Sequence, residues 1–378
     1  MISQLKVPPV SDSNKKYKIE DLLNRKPISL GTENIQRQIY NRRILITGAS
    51  GSIGSELAKQ IAAFHPSELI LIDKCEGTLT ALEIELSSRF WNLNLNVQMA
   101  DITDEIRIRH IFEKTRPHLV YHAAALKHVP FVEKQPYDAI KTNILGTKIL
   151  IDISAEMEVE KFIFVSTDKA VNPSSLMGAS KRFGEIMMAR QNKHLGGSTE
   201  FITARFGNVL GTSGSVVNVF EQQIREGGPL TLTHKNMKRY FMTTFEAGRL
   251  LLEAGAMGKD GEILIFRMGN PEYIYDLALK LIAFHGLKPF EDIDIEYTGI
   301  RPGEKLTEEL INANDVLHPT HHPDIIIASL GSSSFVDTPK FLDEIRIGLL
   351  SPDPSIITQL IKAAVPEYHP PSEIMVTE

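Results

Sequence analysis

The stretch Ile44-Leu-Ile-Thr-Gly-Ala-Ser-Gly-Ser-Ile-Gly-Ser-Glu-Leu-Ala58 carries the strongest structural signal in this chain. An apolar run ends at Thr47, and a helical pattern begins a few residues later. Between them, Gly48, Gly51 and Gly54 are spaced Gly-x-x-Gly-x-x-Gly, which predicts a tight turn from a buried strand into a helix. A turn of this kind lets the backbone approach a pyrophosphate, whose negative charge is stabilised by the helix N-terminus.

The same alternation of strand and helix continues for about 120 residues beyond this turn. Apolar runs predict strands over 42–47, 67–73, 96–100, 118–125 and 161–167, and helical periodicity predicts helices over 55–64, 78–90, 103–115 and 137–157. Apolar strands that alternate with helices indicate a parallel sheet covered on both faces. We therefore expect an α/β fold, a Rossmann-type doubly wound parallel sheet with a smaller mixed α/β substrate domain towards the C-terminus.

The regular pattern places approximate boundaries along the chain. Residues 1–43 are predicted to form an N-terminal arm and a helical lead-in, and 44–205 the dinucleotide-binding Rossmann domain, with 240–270 returning to it. The shorter mixed elements over 206–239 and 271–345 are assigned to the substrate domain, and 346–378 to a C-terminal tail.

Composition narrows the class of protein. The chain has 378 residues and a formal net charge of −6, which argues against nucleic-acid binding. A single cysteine, Cys75, is typical of a reducing compartment. No apolar run reaches the roughly 18 residues needed to cross a bilayer, and the first residues lack the apolar core of a signal peptide. We expect a cytoplasmic protein without membrane insertion.

His321-His322 lacks a partner at helical spacing, so no metal site is predicted.

An acidic residue follows the glycine turn at the distance expected for a dinucleotide site. Asp73 ends the second predicted strand, 19 residues beyond Gly54, where a carboxylate accepts hydrogen bonds from the adenosine ribose. Its charge would repel a 2′-phosphate, so NAD is favoured as cofactor. Lys74 beside it leaves NADP possible.

The glycine spacing resembles that of the short-chain dehydrogenase/reductase superfamily, extended branch. This resemblance implies that Asp101 and Ile102, after the third strand, hold the adenine, and that His122-Ala123-Ala124-Ala125 lines the cofactor channel. Further residues that it places at the cofactor are Gly48, Ser50, Gly51, Ser52, Ile53, Gly54, Asn143 and Lys181.

Three longer motifs carry a closer resemblance. STDKAVNPSSLMGASKR (166–182), HAAALKHVP (122–130) and RPGEK (301–305) occur in this order. Together they resemble the nucleotide-sugar 4,6-dehydratases of bacterial polysaccharide biosynthesis, which act on UDP-N-acetylglucosamine, and the likeness runs from about residue 19 to about residue 330. It implies a homo-oligomer, either a dimer or a hexamer. The segments EDLLNRKPISL and THHPDIIIA look like the catalytic part of the long, membrane-anchored members, so a soluble version of these is expected.

The resemblance implies roles for several residues of the segment 166–182, which we call the catalytic string. In such enzymes NAD oxidises C4 of the sugar, water is eliminated across C5 and C6, and the hydride returns to C6. Asp168 would protonate the departing 6-hydroxyl, and Lys169 would take the C5 proton, for which it needs a pKa depressed by desolvation. Thr167 would hydrogen-bond near the 4-hydroxyl, and Lys181 would hold the nicotinamide ribose.

Met177 occupies the position where the superfamily usually has the tyrosine of Tyr-x-x-x-Lys. A thioether cannot accept the proton of the 4-hydroxyl, but many members of the dehydratase family also have methionine here. The residue that acts as the base for C4 oxidation is therefore not assigned, and the candidates are Thr167 with a water, Asp168 and Lys181. Met177 would instead pack beside the nicotinamide or the sugar.

The resemblance also implies a set of substrate residues. Arginines suit a diphosphate because they form charge-assisted hydrogen bonds, and Glu304 would anchor the uridine ribose or orient Arg301. The residues assigned to the UDP-sugar are Lys127, His128, Asn208, Val216, Val217, Arg239, Arg301 and Glu304.

Two other functions fit part of the pattern. A UDP-sugar 4-epimerase would share the fold, but epimerases normally need Tyr-x-x-x-Lys and have no use for the Asp168-Lys169 pair. A non-catalytic dinucleotide-binding sensor would account for the missing tyrosine. However, a sensor would be expected to have lost residues of the catalytic string, whereas Thr167, Asp168, Lys169 and Lys181 are all present.

Overall fold

The structure is a computed structural model that describes residues 17–23, 25, 32–195, 197–313, 315–320, 322–329 and 338–371. Most of the predicted arm, His321 and the last seven residues lie outside this described part. Fifteen strands occur within it. They are β1 (Arg43–Thr47), β2 (Glu68–Asp73), β3 (Leu95–Met99), β4 (Leu119–His122), β5 (Lys161–Thr167), β6 (Glu200–Phe206), β7 (Asn208–Leu210), β8 (Leu230–Leu232), β9 (Lys238–Arg239), β10 (Phe241–Thr243), β11 (Ile263–Phe266), β12 (Glu272–Tyr273), β13 (Ile295–Tyr297), β14 (Val316–Pro319) and β15 (Ile325–Ser329).

The helices alternate with these strands through the first half of the chain. They are α1 (Glu33–Ile39), α2 (Ser52–Ala62), α3 (Glu76–Arg89), α4 (Glu105–Thr115), α5 (Val129–Lys134), α6 (Pro136–Ile140), α7 (Thr147–Glu156), α8 (Leu176–Leu195), α9 (Val216–Glu226), α10 (Thr244–Met257), α11 (Ile274–Phe284), α12 (Thr338–Gly348) and α13 (Pro354–Ala364). Short 3₁₀ turns span Ile19–Leu22 and Asp168–Ala170, and a π-helical segment spans Lys141–Gly146. Across the described ranges, we find no helix with both the length and the apolar character of a membrane span.

One large sheet organises the molecule. Its strand order is β14-β15-β11-β6-β5-β4-β1-β2-β3, and the strands from β11 to β3 are parallel, while β15 and β14 add an antiparallel edge. The chain runs outward from β1 to β3 and then crosses back to continue from β4 to β6. The strand order therefore reverses between β1 and β4, which is where ligands bind in open α/β sheets. The predicted doubly wound sheet is confirmed.

The sheet is buried on both faces because its central strands carry apolar residues on both of them. In β1, Leu45 packs into the apolar cluster on one face, while Ile44 and Ile46 pack into the cluster on the other. Successive side chains of a strand point to opposite faces, so a run of consecutive apolar residues supplies both clusters.

The predicted strands and helices up to Thr167 are present, with two differences. Residues 123–125 leave the sheet after β4 and form a loop instead of extending the strand. The helix predicted over 137–157 is interrupted by the π-helical segment at Lys141–Gly146. A π-helical turn inserts an extra residue into the helical repeat, and such insertions are frequent at functional sites.

The second half of the chain divides between the large sheet and a smaller layer. Strand pairs β7–β10, β8–β13 and β9–β12, with α9 and α11, surround a separate apolar cluster that includes Phe220, Ile224 and Leu281. The lead-in residues Tyr17, Leu22 and Leu23 pack into the same cluster. The sequence assigned all of 271–345 to the substrate domain, whereas β14 and β15 pair at the edge of the large sheet, because β15 hydrogen-bonds to β11.

Candidate active site

The glycine turn between β1 and α2 is closed too tightly for side chains. Gly48 has a φ of +64°, and a Cβ there would lie 2.6 Å from the backbone nitrogen of Ala124. A Cβ on Gly54 would lie 2.1 Å from the carbonyl oxygen of Gly48. The turn therefore packs directly on the loop after β4, at the reversal of strand order. The first amides of α2, from Ser52 onwards, have no partners within their own helix, and they form a cradle that fits a pyrophosphate.

Asp73, at the end of β2, stabilises this turn through hydrogen bonds. Its carboxylate accepts hydrogen bonds from the amide nitrogen of Ser50 at 3.0 Å and from that of Cys75 at 3.1 Å. Lys74 turns away and pairs with Asp101 at 3.6 Å. Burial favours a raised pKa for Asp101, but hydrogen bonds from Thr103 and the charge of Lys74 outweigh it and hold the pKa below its ordinary value. The acidic residues predicted for the adenosine end thus lie together beside the glycine turn.

A cleft of about 310 Å³ opens at the carboxyl ends of the central strands. It brings together residues that lie far apart in the sequence and that were predicted for three different roles. The predicted residues that line it are Ile53, Ala123, Ala125, Lys127, His128, Thr167, Lys169, Met177, Lys181, Asn208 and Val216.

Lys169 lies at the centre of a buried charged cluster in this cleft. Its Nζ is 2.9 Å from Asp168 Oδ1, 2.9 Å from Asn208 Oδ1 and 3.4 Å from Glu308 Oε1. Asp168 is fully buried and also accepts a hydrogen bond from Thr167 Oγ1 at 2.9 Å. Its second oxygen, Oδ2, is buried without a hydrogen-bond partner among the described residues. The cluster therefore contains a positioned ammonium group and a carboxylate oxygen able to take a proton.

The charges around Lys169 correct one expectation. Burial alone would lower the pKa of Lys169, as the sequence suggested. The carboxylates of Asp168 and Glu308 outweigh burial and raise its pKa above the ordinary value, despite the opposing charge of Arg239. In the structure Lys169 is thus an ammonium ion, not the free amine that a base requires.

Lys181 has the opposite environment. It is 7% exposed, and its Nζ lies 4.3 Å above the ring of Phe164. Burial lowers the pKa of Lys181 to about 7, although Glu185, one turn further along α8, opposes this shift. Met177 lies one turn before Lys181 on the same helix, is 4% exposed and also lines the cleft. Among the predicted catalytic residues, Lys181 therefore has the pKa suited to gain and lose a proton near neutrality.

Two predicted channel residues act behind the cleft wall. Asn143, in the π-helical segment, accepts a hydrogen bond from the amide of Leu126 at 2.8 Å and donates to its carbonyl at 3.0 Å and to Ser180 Oγ at 3.0 Å. It joins the loop after β4 to α8. His122 is fully buried between two threonine hydroxyls, at 2.7 and 2.9 Å, and burial lowers its pKa well below the ordinary value. It lies behind the cleft as a neutral side chain.

A loop after β7 covers the opposite side of the cleft. The carbonyl of Ser213 accepts a hydrogen bond from Lys127 Nζ at 3.1 Å, and its amide donates to Ser52 Oγ at 3.1 Å. His128 packs against Gly214, where an added Cβ would lie 2.6 Å from the imidazole ring. This loop thus links the predicted substrate residues to the N-terminus of α2.

Four predicted substrate residues do not line this cleft. Val217 is fully buried in the apolar cluster of the smaller layer. Arg239 is 7% exposed and donates through Nη1 to the carbonyls of residues 238, 305 and 306. Arg301 is exposed, and Glu304 has a buried Oε2 without a hydrogen-bond partner in the described part of the chain. The RPGEK segment nevertheless packs on the catalytic string, because Ser174 Oγ donates to the carbonyl of Gly303 at 2.9 Å.

Sequence reasoning missed Glu308. It follows the RPGEK motif in an acidic Glu-Glu dipeptide that reads as a solvated surface, yet its side chain is 3% exposed and lies against Lys169. Only its closeness to that motif could have pointed to it.

The chain matches the model of the family described as polysaccharide biosynthesis protein over residues 44–330. It is 48% identical over 306 residues to the capsular polysaccharide biosynthesis protein CapD of Staphylococcus aureus, covering 81% of this chain and 51% of that protein. The chain spans about half the length of the first curated relatives it matches.

Two relatives of similar length carry different names. A UDP-N-acetylglucosamine 4,6-dehydratase (inverting) of Campylobacter jejuni is 34% identical, covering 79% of this chain and 86% of that protein. A UDP-glucose 4-epimerase of Rickettsia akari is 32% identical, covering 73% and 79%. Among solved structures, Pen from Bacillus thuringiensis is 30% identical with a TM-score of 0.70, covering 79% of this chain and 90% of that one. The family match over residues 44–330 includes all the residues that line the cleft.

Proposed function

The chain belongs to the polysaccharide biosynthesis protein family, and we propose that it is an NAD-dependent UDP-N-acetylglucosamine 4,6-dehydratase. The observation that carries this proposal is that Thr167, Lys169 and Lys181 line one cleft. The fully buried Asp168 accepts hydrogen bonds from both Thr167 and Lys169. A dehydratase needs an acid and a base on neighbouring sugar carbons, and this cluster holds a carboxyl group and an amine 2.9 Å apart. The expected product is a UDP-4-keto-6-deoxy-N-acetylhexosamine for glycan synthesis.

The glycine cradle, Asp73 and Asp101 would hold NAD, whose nicotinamide supplies a hydride acceptor at C4 of the sugar and a hydride donor at C6. The carboxylate of Asp73, close to the turn, favours NAD over NADP. Lys74, the neighbouring cation that could bind a 2′-phosphate, lies 3.6 Å from Asp101 in an exposed ion pair.

Lys181 is the best candidate to accept the proton of the 4-hydroxyl. Its pKa of about 7 leaves a large neutral fraction at neutral pH, and Lys181 and Met177 both line the cleft. Thr167 Oγ1 donates to Asp168, so Thr167 and Asp168 form a second route for this proton.

Elimination then uses the Asp168–Lys169 pair. Asp168, as the acid, gives its proton to the departing 6-hydroxyl, which leaves as water. Lys169, as the base, takes the proton from C5 and later returns one to the same carbon. This step requires a neutral amine beside a protonated carboxyl group, which is the ion pair of the resting structure after one proton has moved from Lys169 to Asp168. No net charge is created by that shift.

A UDP-sugar 4-epimerase remains the second candidate because epimerase-named relatives match this chain almost as well. Incubation of the protein with NAD and UDP-N-acetylglucosamine, followed by mass spectrometry, distinguishes the functions. Loss of one water from the sugar nucleotide supports the dehydratase, and an isomer of unchanged mass supports the epimerase. Unaltered substrate would overturn both and favour a sensor. Cytoplasmic location and assembly into a dimer or hexamer stay predictions.

A further inference from the structure

Lys169 contacts a second carboxylate besides that of Asp168, its neighbour in the sequence. Glu308, on the segment that follows the RPGEK motif, places Oε1 3.4 Å from Lys169 Nζ, on a side chain that is 3% exposed. The second oxygen of Glu308, Oε2, is buried and has no hydrogen-bond partner among the described residues, like Oδ2 of Asp168. Two buried carboxylates therefore share one ammonium group, and each keeps an oxygen free.

Arg239 sets the position of this second carboxylate. Its Nε lies 3.8 Å from Glu308 Oε1, and its Nη1 donates to the carbonyl oxygens of Lys305 at 2.9 Å and Leu306 at 3.4 Å. The amide of Lys238 adds a hydrogen bond of 2.9 Å to the carbonyl of Leu306. Strand β9 thus fixes the backbone two residues before Glu308 and supplies the charge that compensates it.

The four charged side chains of this cluster sum to zero. Asp168 and Glu308 carry one negative charge each, and Lys169 and Arg239 one positive charge each. A proton that moves from Lys169 to Asp168 leaves the Glu308–Arg239 pair charged and the catalytic pair neutral. The shift moves a proton within the pair and so conserves the net charge, and Arg239 offsets the buried charge of Glu308 both before and after it.

We propose that Glu308 is a positioning residue for the Asp168–Lys169 pair: with Arg239 beside it, it holds Lys169 Nζ against Asp168 and retains their shared proton within the cleft. The inference rests on the proposed function, because it assigns Glu308 to the acid–base pair of the elimination. Without the charge of Glu308, the cluster would carry a net positive charge, and the pair would lose its proton to solvent at a lower pH.

The other charged groups near Lys169 do not replace Glu308. Lys181 on α8, and Lys127 and His128 after β4, line the same cleft, and in their protonated forms they would favour loss of the Lys169 proton. Asn208 on β7 accepts a hydrogen bond from Lys169 but carries no charge. Asp168 and Glu308 are the acidic side chains within 4 Å of Lys169 Nζ in the described part of the chain.

The test compares Glu308→Gln with the matched control Glu309→Gln. Glu309 is the adjacent carboxylate, is 52% exposed, and contacts Lys305 and Asn172 instead of Lys169. Acetic anhydride reacts with neutral amines, so its rate of reaction with Lys169 across a pH series, followed by peptide mass spectrometry, measures the titration of that residue without any turnover. We expect the midpoint to fall by about 1 to 3 pH units in Glu308→Gln and to stay unchanged in Glu309→Gln.

A further variant keeps the test decisive if Glu308→Gln does not fold. Arg239→Gln removes the compensating cation, so the midpoint should move upward, whereas Glu308→Asp keeps the charge and should restore most of the wild-type value. In the turnover assay, the alkaline limb of the kcat/KM profile should move in the same direction as the labelling midpoint.

Unchanged midpoints in both Glu308→Gln and Arg239→Gln would overturn the proposal. Failure of the wild-type protein to release water would overturn the proposed function, and the labelling would still decide the role of Glu308.

Discussion

Gly54 packs so closely on Gly48 that a Cβ on Gly54 would lie 2.1 Å from the carbonyl oxygen of Gly48. We therefore expect Gly54→Ala to disrupt the turn, to abolish NAD binding and to lower the unfolding temperature. Gly77→Ala is the matched control, because an added Cβ there meets nothing within 4 Å and the position lies in the first turn of α3. That variant should keep NAD binding and gain up to about 1 kcal/mol of stability. Calorimetric titration with NAD and thermal unfolding provide the measurements; equal behaviour of the two variants would contradict the cradle.

Lys169→Ala should abolish formation of the dehydrated product, since it removes the proposed base at C5. Cofactor binding should persist, because the glycine turn and Asp73 are untouched. Lys134→Ala, an exposed lysine on α5, serves as the control for the loss of a cation. Product mass and fluorescence titration with the reduced cofactor provide the two readouts. Turnover near that of the wild-type protein would remove Lys169 from the mechanism.

Asp73→Asn tests the cofactor preference. The amide keeps the size of the side chain but removes the charge that disfavours a 2′-phosphate, so NAD binding should weaken by more than NADP binding. Part of the loss comes from the turn itself, because the carboxylate accepts hydrogen bonds from Ser50 and Cys75. Glu76→Gln, exposed in the first turn of α3, controls for a general change of charge. Equal losses for both cofactors would refute the assignment.

Lys181→Met should stabilise the cofactor-free protein in a pH-dependent manner. The pKa of Lys181 falls from 10.5 to about 7 on folding, so between these values the unfolded chain binds more protons than the folded one. Wild-type stability therefore rises with pH across this window, and the cost of burying Lys181 is largest below about pH 7. The gain in unfolding temperature should be large at about pH 6 and small at about pH 10. Lys114→Met, at the exposed end of α4, should show no such difference, and a pH-independent gain at Lys181 would contradict the burial effect.

Arg205→Met should be strongly destabilising although it lies outside the cleft. The guanidinium of Arg205 is fully buried and pairs with Glu185 at 2.7 Å and with Asp315 at 3.1 Å. Removing it leaves the buried carboxylate of Asp315 without its cation and leaves Glu185 paired with Arg182, at 3.0 Å. Loss of the cation from such a buried group costs about 3–5 kcal/mol. Denaturant unfolding measures the loss, and acidification should recover part of it because both carboxylates can then be neutralised. A loss below about 1 kcal/mol would mean that these carboxylates find other partners.

The fold was predictable because its signals are local. The glycine spacing requires a closed turn whatever surrounds it, and the apolar runs of β1 to β5 could be buried only in a sheet covered on both faces. The interruption of the helix at Lys141–Gly146 was not predictable, since helical periodicity continues through it. The place of β14 and β15 in the large sheet depends on pairing with β11, which no local pattern records.

By itself, the sequence determined which chemical groups the site contains: the glycine turn, Asp73, the Thr167-Asp168-Lys169 string and Lys181. Only the tertiary structure decided their protonation states and their partners. It brought the carboxylates of Asp168 and Glu308 to Lys169 Nζ, so that Lys169 is charged, while Lys181 is buried against Phe164 and loses its proton more easily. The reason is physical: the pKa of a buried group depends on which charges lie within a few ångströms and on whether water is excluded, and neither quantity is a property of neighbouring residues in the chain.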